Sequence, residues 1–237
     1  MIKIKEKEKE KDLKVISKRD VLVEILKRRR SRTNLLDFYE YTFKKFVYGH
    51  HIKKLCDALD KVESGEIKRL IVSMPPRHSK SETCSIRFPC KYLGNNPKKR
   101  IVLASYSESI AAEQSRRSKN LFYSNEYRNL FPEIIPPINS NHHKTSDKEW
   151  QTLEGGNFYS VGIGGGLTGR GFDIGIIDDY VKDRQEASSE TNIERISDWY
   201  KSVFYTRQEP DAAIIIIATR WATNDLIGTL LKDEEKG

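Results

Sequence analysis

Residues 67–82 read IKRLIVSMPPRHSKSE. An apolar run with strand character ends at Met74, a proline pair turns the chain, and Lys80-Ser81 opens a segment, TCSIRFPCKYL, compatible with a helix. A lysine and a hydroxyl between a strand and a helix is the arrangement that holds a phosphate. Successive backbone N–H groups converge on the oxygens, the lysine neutralises charge and the hydroxyl ligates Mg2+. Residues Arg77, His78, Ser79, Lys80, Ser81 and Glu82 supply amides in this stretch, after the turn made by Pro75 and Pro76. The prolines lack N–H but precede the point where amides are needed. The usual loop, G-x(4)-G-K-[ST], relies on glycines that are absent here, and Ser79 stands at the second of them. Taken alone, the stretch also reads as an ordinary strand–turn–helix.

Two further segments bear on the choice. IGIIDDYVKD places Asp178 and Asp179 at the end of an apolar run. A nucleotide site needs one acid at a neighbouring strand tip to organise Mg2+, here Asp178, and a second to orient or deprotonate the attacking water, here Asp179. Consecutive side chains on a strand point to opposite faces, so both serve one site only if the strand stops there. AIIIIATRWATNDLIG places Thr219 just past another buried run, at the tip where ligands bind in open α/β sheets. Arg220 and Trp221 follow, either to carry a signal outward or simply to pair and pack.

Candidate strands at 67–74, 100–107, 172–178 and 212–219 alternate with helical segments, among them 51–65, 108–124, 188–207 and 223–235. Continuous apolar strands alternating with helices predict a mainly parallel sheet covered on both faces. WQTLEGGNFYSVGI predicts a hairpin around Gly155-Gly156, and Thr223 or Asn224 is the expected cap of the last helix.

The chain of 237 residues carries a formal net charge of +8. Residues 1–32 hold 13 Lys/Arg against 6 Asp/Glu, so most of the excess is N-terminal. That segment predicts a solvated helix, with an apolar stripe at Val15, Ile16, Val21, Leu22, Ile25 and Leu26, or a nucleic-acid or partner contact. Cys56, Cys84 and Cys90 have no paired spacing and predict no disulfide or zinc site. The adjacent pairs His50-His51 and His142-His143 do not share a ligand face on a helix. No run is long enough to span a membrane and no signal peptide is present, so a soluble intracellular protein is expected.

With its elements in this order, the chain resembles the ATPase domain of the large terminase subunit of tailed bacteriophages. The matching stretches are GEIKRLIVSMPPRHSKSE, PKKRIVLASYS, LTGRGFDIGIIDDYVKD, SDWYKS and TRWATNDLIG, between about Tyr39 and Leu231. The resemblance implies an α/β P-loop NTPase fold of the ASCE type, a three-layer sandwich, over residues 36–237, preceded by a basic segment at 1–35. It implies ATP and Mg2+ as cofactors and ATP hydrolysis coupled to DNA translocation into a procapsid. It assigns phosphate binding to Arg77, Lys80 and Ser81, metal binding to Ser81 and Asp178, and the catalytic carboxylate to Asp179. Pro76, His78, Ser79 and Glu82 complete the loop, Tyr48, His50 and His51 occupy the adenine-contacting region, and Thr219 to Trp221 the coupling motif. The implied partners are double-stranded DNA, a portal protein, a small terminase subunit and copies of this chain in a ring, in the bacterial cytoplasm and at the procapsid. The nuclease half of the family is missing before Gly237, so no nuclease activity is expected of this polypeptide.

GIGGGLTGRGFD is either a mobile glycine-rich loop or the carrier of an arginine finger, Arg170, that reaches a neighbouring subunit. A packaging motor accepts any sequence, so DNA contacts are expected to be with phosphates, from Arg28 to Arg32, Arg116-Arg117 and Lys119. The other readings are a helicase-like NTPase and a non-catalytic nucleic-acid-binding module with a degenerate loop.

Overall fold

The computed structural model describes residues 17–44, 46–136 and 145–234, the side chains of 233 and 234 excepted; His142-His143 and the stripe positions Val15 and Ile16 lie outside that set. The strands are β1 (Arg69–Ser73), β2 (Arg100–Ser105), β3 (Glu149–Gln151), β4 (Asn157–Gly162), β5 (Phe172–Asp178) and β6 (Gln208–Ala218). They form one sheet in the order β1-β6-β5-β2-β4-β3, with every pairing parallel except that of β3 with β4. The β3–β4 connection is the expected hairpin, with Gly155 at φ 91°.

The helices are α1 (Lys18–Thr33), α2 (Leu35–Thr42), α3 (His50–Glu63), α4 (Phe88–Asn95), α5 (Glu108–Phe122), α6 (Asn125–Leu130), α7 (Arg184–Ala187), α8 (Glu190–Trp199) and α9 (Leu226–Glu234). The continuous apolar strands are explained by burial on both faces. Ile215 and Ile217 join Ile101, Leu103, Ile174 and Ile176 in a core shared with α3, α4 and α5. Ile214 and Ile216 join Val102, Ala104 and Ile177 in a second core beneath α8 and α9. The period-two alternation thus divides one isoleucine run between two apolar layers, and the result is the three-layer sandwich.

Two local features shape the C-terminal edge of the sheet. A π-helical turn, Glu82–Arg87, leads directly into α4. Pro89 has no N–H to donate back to Ser85, and the freed carbonyl of Ser85 accepts instead from Ser118 Oγ on α5 at 3.0 Å. At the end of β4, a Cβ on Gly162 would lie 2.7 Å from the backbone nitrogen of Glu108, so only glycine lets α5 start this close to the sheet.

Some expectations are corrected. The last helix is capped by Asp225 and not by Thr223 or Asn224: Asp225 Oδ1 accepts from Gly228 N at 2.8 Å, and Arg220 fixes the carboxylate. The segment expected to run as one helix over 188–207 is α8 followed by a π turn (Tyr200–Phe204) and a short 3-10 turn (Tyr205–Arg207). The described part of the α1 stripe, Val21, Leu22, Ile25 and Leu26, faces solvent, whereas Glu24 and Ser31 meet α2 through Tyr41 and the carbonyl of Asp37. The three cysteines are free and buried.

Lys91 of α4 ties the helical layer together. Its side chain is 1% exposed, and Nζ meets Asp60 at 3.0 Å and also Glu63. Asp60 also accepts from Leu35 N and Asn34 Nδ2, at the α1–α2 junction. Lys91→Ala leaves two carboxylates without their cation. Both retain some solvent contact, so a loss of about 2–3 kcal/mol is expected, below the roughly 3–5 of a fully buried pair. Urea denaturation measures it, and an unchanged midpoint would show that the cluster adds nothing.

Candidate nucleotide site

The site lies at the C-terminal ends of β1, β6 and β5. Three non-glycine residues in the described chain have positive φ, and all three are here: Arg77 (62°), Ser79 (58°) and Asp179 (46°). Each left-handed residue costs about 1–2 kcal/mol. Arg77 and Ser79 alternate with residues of ordinary hand and curl the loop, which is how consecutive amides come to face one anion. Ser79 therefore adopts the conformation that glycine supplies elsewhere. Its carbonyl is held by Thr83, through N at 3.0 Å and Oγ1 at 2.8 Å.

Asp179 answers the question of the two acids. Its left-handed backbone stops the strand at Asp178, its N–H bonds to Ile217 O at 2.9 Å, and its carbonyl accepts from Tyr106 N at 3.1 Å. The chain turns, and both carboxylates meet the loop. Lys80 is 6% exposed, and its Nζ lies 3.4 Å from Asp179 Oδ2. Ser81 Oγ donates to Asp178 Oδ1 at 3.1 Å. Ser85 Oγ and Gln114 Nε2 both donate to Asp178 Oδ2, at 2.7 and 2.9 Å. A carboxylate joined to a hydroxyl is the hard-oxygen donor set that suits Mg2+, so Asp178 and Ser81 fit that ion.

Among the other expected residues, Thr219 Oγ1 bonds to Met74 O at 3.3 Å and pins β6 to the start of the loop. His78 Nδ1–H bonds to the carbonyl of Pro76 at 2.8 Å, and the His78 ring lies 5.5 Å from that of His51. Tyr48 is exposed on a ladder of rings, 5.1 Å from Phe46, which stacks on Tyr39 at 3.5 Å. His50 opens α3 on the surface. Glu82 is turned away from the loop mouth by Arg87, at 2.8 Å, and by Arg117.

Arg170 is not brought to this site. It pairs with Glu149 through both oxygens, at 2.8 and 3.2 Å, and its guanidinium lies 3.9 Å over the Tyr159 ring. It precedes β5, whereas Asp178 ends it, a separation of about 20 Å for a strand of this length. A polar cavity of about 320 Å³ surrounds it, and a larger one of about 610 Å³ lies between α1, α2 and α6; neither borders Lys80. Several cations read as DNA contacts have acidic partners: Arg28 with Glu24, Arg30 with Asp37, Arg117 with Glu82 and Lys119 with Asp147. Arg29 and Arg116 are exposed. Trp221 is 46% exposed, while Arg220 bonds within its own turn.

The reading of the residues did not find Ser85 or Gln114. Ser85 lies four residues after Ser81, on the same helix face, and that spacing was available. Gln114 has no such signal.

Burial pushes the Asp178 carboxyl from its ordinary 3.8 up to about 6, against the hydrogen bonds from Ser85 and Ser81. The folded state therefore binds this proton more tightly than the unfolded chain does, and stability falls as pH rises from about 4 to about 6. Asp178→Asn removes that penalty. A gain of about 1–2 kcal/mol at pH 7.5 is expected, with a flatter profile below pH 6. Denaturant titrations across this range test it, and a variant less stable than the native chain at pH 7.5 contradicts it.

The family model of the terminase large subunit, T4likevirus-type, N-terminal, matches residues 71–236. No curated protein matches the chain. Among solved structures, the chain is similar to the HK97 bacteriophage large terminase, with 15% identity, a TM-score of 0.51, and coverage of 81% of this chain and 37% of that one. It is also similar to the Phi-28 gp11 DNA packaging motor, with 12% identity, a TM-score of 0.44, and coverage of 73% and 53%. The chain thus spans little more than a third of the HK97 protein. That first likeness supports the fold, a three-layer α/β sandwich around a mainly parallel sheet, and the second adds no weight. On the family match across most of its length, the chain belongs to the terminase large subunit family, in its T4likevirus-type N-terminal part.

Proposed function

We propose that this chain is the ATPase motor domain of a DNA-packaging terminase, hydrolysing ATP to drive double-stranded DNA into a procapsid. The observation that carries the reading is the meeting of Lys80, Ser81, Asp178 and Asp179 at one end of the sheet. On this reading the loop amides and Lys80 hold the β- and γ-phosphates. Ser81 Oγ and Asp178 Oδ1 hold the divalent ion. Bound Mg2+ supplies charge neutralisation between phosphate oxygens. Arg77, exposed on the loop, lies beside the transferred group.

The Lys80–Asp179 pair suggests an order of events. Without nucleotide, Asp179 is the counter-charge of Lys80. A triphosphate competes for the ammonium and frees the carboxylate. Asp179 then orients a water for in-line attack on the γ-phosphorus and accepts its proton; as the new P–O bond forms, the bond to the β–γ bridging oxygen breaks, and ADP and phosphate are released. Thr219, anchored to Met74, reports the change at the loop to Arg220 and Trp221. His51 and Tyr48 present a ring edge and a ring face to the adenine.

The motor acts as a ring of copies on the portal protein, supplied with DNA by the small terminase subunit, in the bacterial cytoplasm. Among the described residues no helix is long and apolar enough to cross a membrane. Contacts with DNA are to phosphates, with Arg29, Arg32 and Arg116 among the accessible cations of the two clusters. A trans role for Arg170 requires its pair with Glu149 to open at a subunit boundary.

Lys80→Ala is the direct test. Loss of phosphate release by about 10²–10³-fold or more is expected, with cooperative unfolding retained. Turnover at the native rate would remove Lys80 from the mechanism. Absence of any Mg·ATP-dependent thermal shift in the native chain would favour a non-catalytic DNA-binding module, since saturating ligand at about 100 times its Kd adds roughly 2.7 kcal/mol.

A further inference from the structure

Asp178 is fully buried, and its two oxygens have different surroundings. Oδ2 accepts from both Ser85 Oγ and Gln114 Nε2. Oδ1 meets only Ser81 Oγ among the described side chains, and so is the oxygen directed to the cation end of the site. The amide of Gln114 has one possible orientation. An ionised carboxylate only accepts hydrogen bonds, so the nitrogen must face it and Oε1 must point elsewhere.

Gln114 is nine-tenths buried, and Oε1 has no hydrogen-bond partner within the chain. The hydroxyls of Ser105 and Ser115 are also buried without a partner within the chain. Ser105 is the register partner of Asp178 on β2, and Ser115 adjoins Gln114 on α5. An unsatisfied buried acceptor costs about 1–3 kcal/mol, and native proteins keep few of them. Gln114 Oε1 and Ser105 Oγ, both on residues that adjoin this one carboxylate, point to hydrogen-bond partners supplied with a ligand. Mg2+ retains several waters when it binds to one or two protein oxygens, and those waters need acceptors. A neutral amide oxygen accepts from them without adding a third negative charge beside Asp178 and Asp179.

Resting on the nucleotide reading above, we propose that Gln114 is a positioning residue for the divalent cation. Its amide nitrogen locks the rotamer of Asp178, and its amide oxygen accepts from a cation-bound water. The residue touches neither phosphate nor attacking water and acts through the carboxylate and the hydration shell. It should therefore govern the affinity for the metal and leave metal-free nucleotide binding alone.

The test uses Gln114→Met, which keeps the volume and removes both polar atoms, and Gln114→Asn, which keeps the amide on a shorter arm. Affinity for a non-hydrolysable ATP analogue is measured by calorimetry in EDTA and across a Mg2+ titration. Mn2+ binding in the presence of the analogue is followed by electron paramagnetic resonance. The expected result for Gln114→Met is an unchanged affinity in EDTA, a Mg2+ midpoint raised about 10-fold or more, and a matching loss of bound Mn2+. Gln114→Asn is expected to lie between it and the native chain. A native Mg2+ midpoint in Gln114→Met overturns the inference alone. So does an equal loss of affinity with and without metal, which would mark a purely structural role. If Gln114→Met does not unfold cooperatively, Gln114→Asn decides by the same criteria, and failure of both to fold rejects the inference. If the native chain binds no nucleotide with Mg2+, the nucleotide reading falls and takes this inference with it.

Discussion

The burial of one carboxylate organises one end of this molecule. Asp178 sits at the tip of a central strand, out of contact with water, where an isolated negative charge is costly. Donors from three elements offset the cost: Ser81 from the loop, Ser85 from the π turn that follows, and Gln114 from α5. None of these contacts survives a shift of one element against another. The π turn that carries Ser85 runs directly into α4 ahead of Pro89, and α5 approaches because Gly162 has no side chain. The isoleucine-rich sheet, packed on both faces, is the rigid frame against which these positions are set.

The loop works without glycine because the neighbourhood enforces the backbone that glycine would adopt freely. Arg77, Ser79 and Asp179 carry the described chain's non-glycine positive φ angles, and they lie together. Strain of this kind persists only where surrounding structure over-determines it, and here Thr83, Tyr106 and Ile217 hold the flanking peptides. A loop built in this way is stiffer than a glycine-rich one. The prolines before it and the Thr219 bond to Met74 limit it further. Lys80 of this loop pairs with Asp179, and the buried Asp178 carboxylate lies within reach of the same charge.

Away from the site, charge is spent mainly on internal structure. Glu82, Arg87 and Arg117 join the loop helix to α5, and Arg87 also stacks on Tyr39 and Phe43 of the aromatic ladder. Lys91, Asp60 and Glu63 do the same for α3 and α4. Cations that look available in a linear chain are therefore often committed, as Arg117, Lys119 and Arg170 are.

The sequence by itself determined the layers, the strand positions and the residue types that gather at one end of the sheet. Apolar runs of strand length can only be satisfied inside a two-faced sheet, and lysine, hydroxyl and acid at their tips are chemically suited to one ligand. Lys80, Ser81, Asp178, Asp179 and Thr219 were legible for that reason. Tertiary structure alone decided that the two acids share a side, through the backbone hand of Asp179, and that Gln114, 64 residues earlier in the chain, closes over Asp178. It also decided that Arg170 is held by Glu149 at the opposite end of the strands. Pattern reports what a residue can do, whereas the identity of its partner depends on which distant elements pack together, and that follows from the whole core at once.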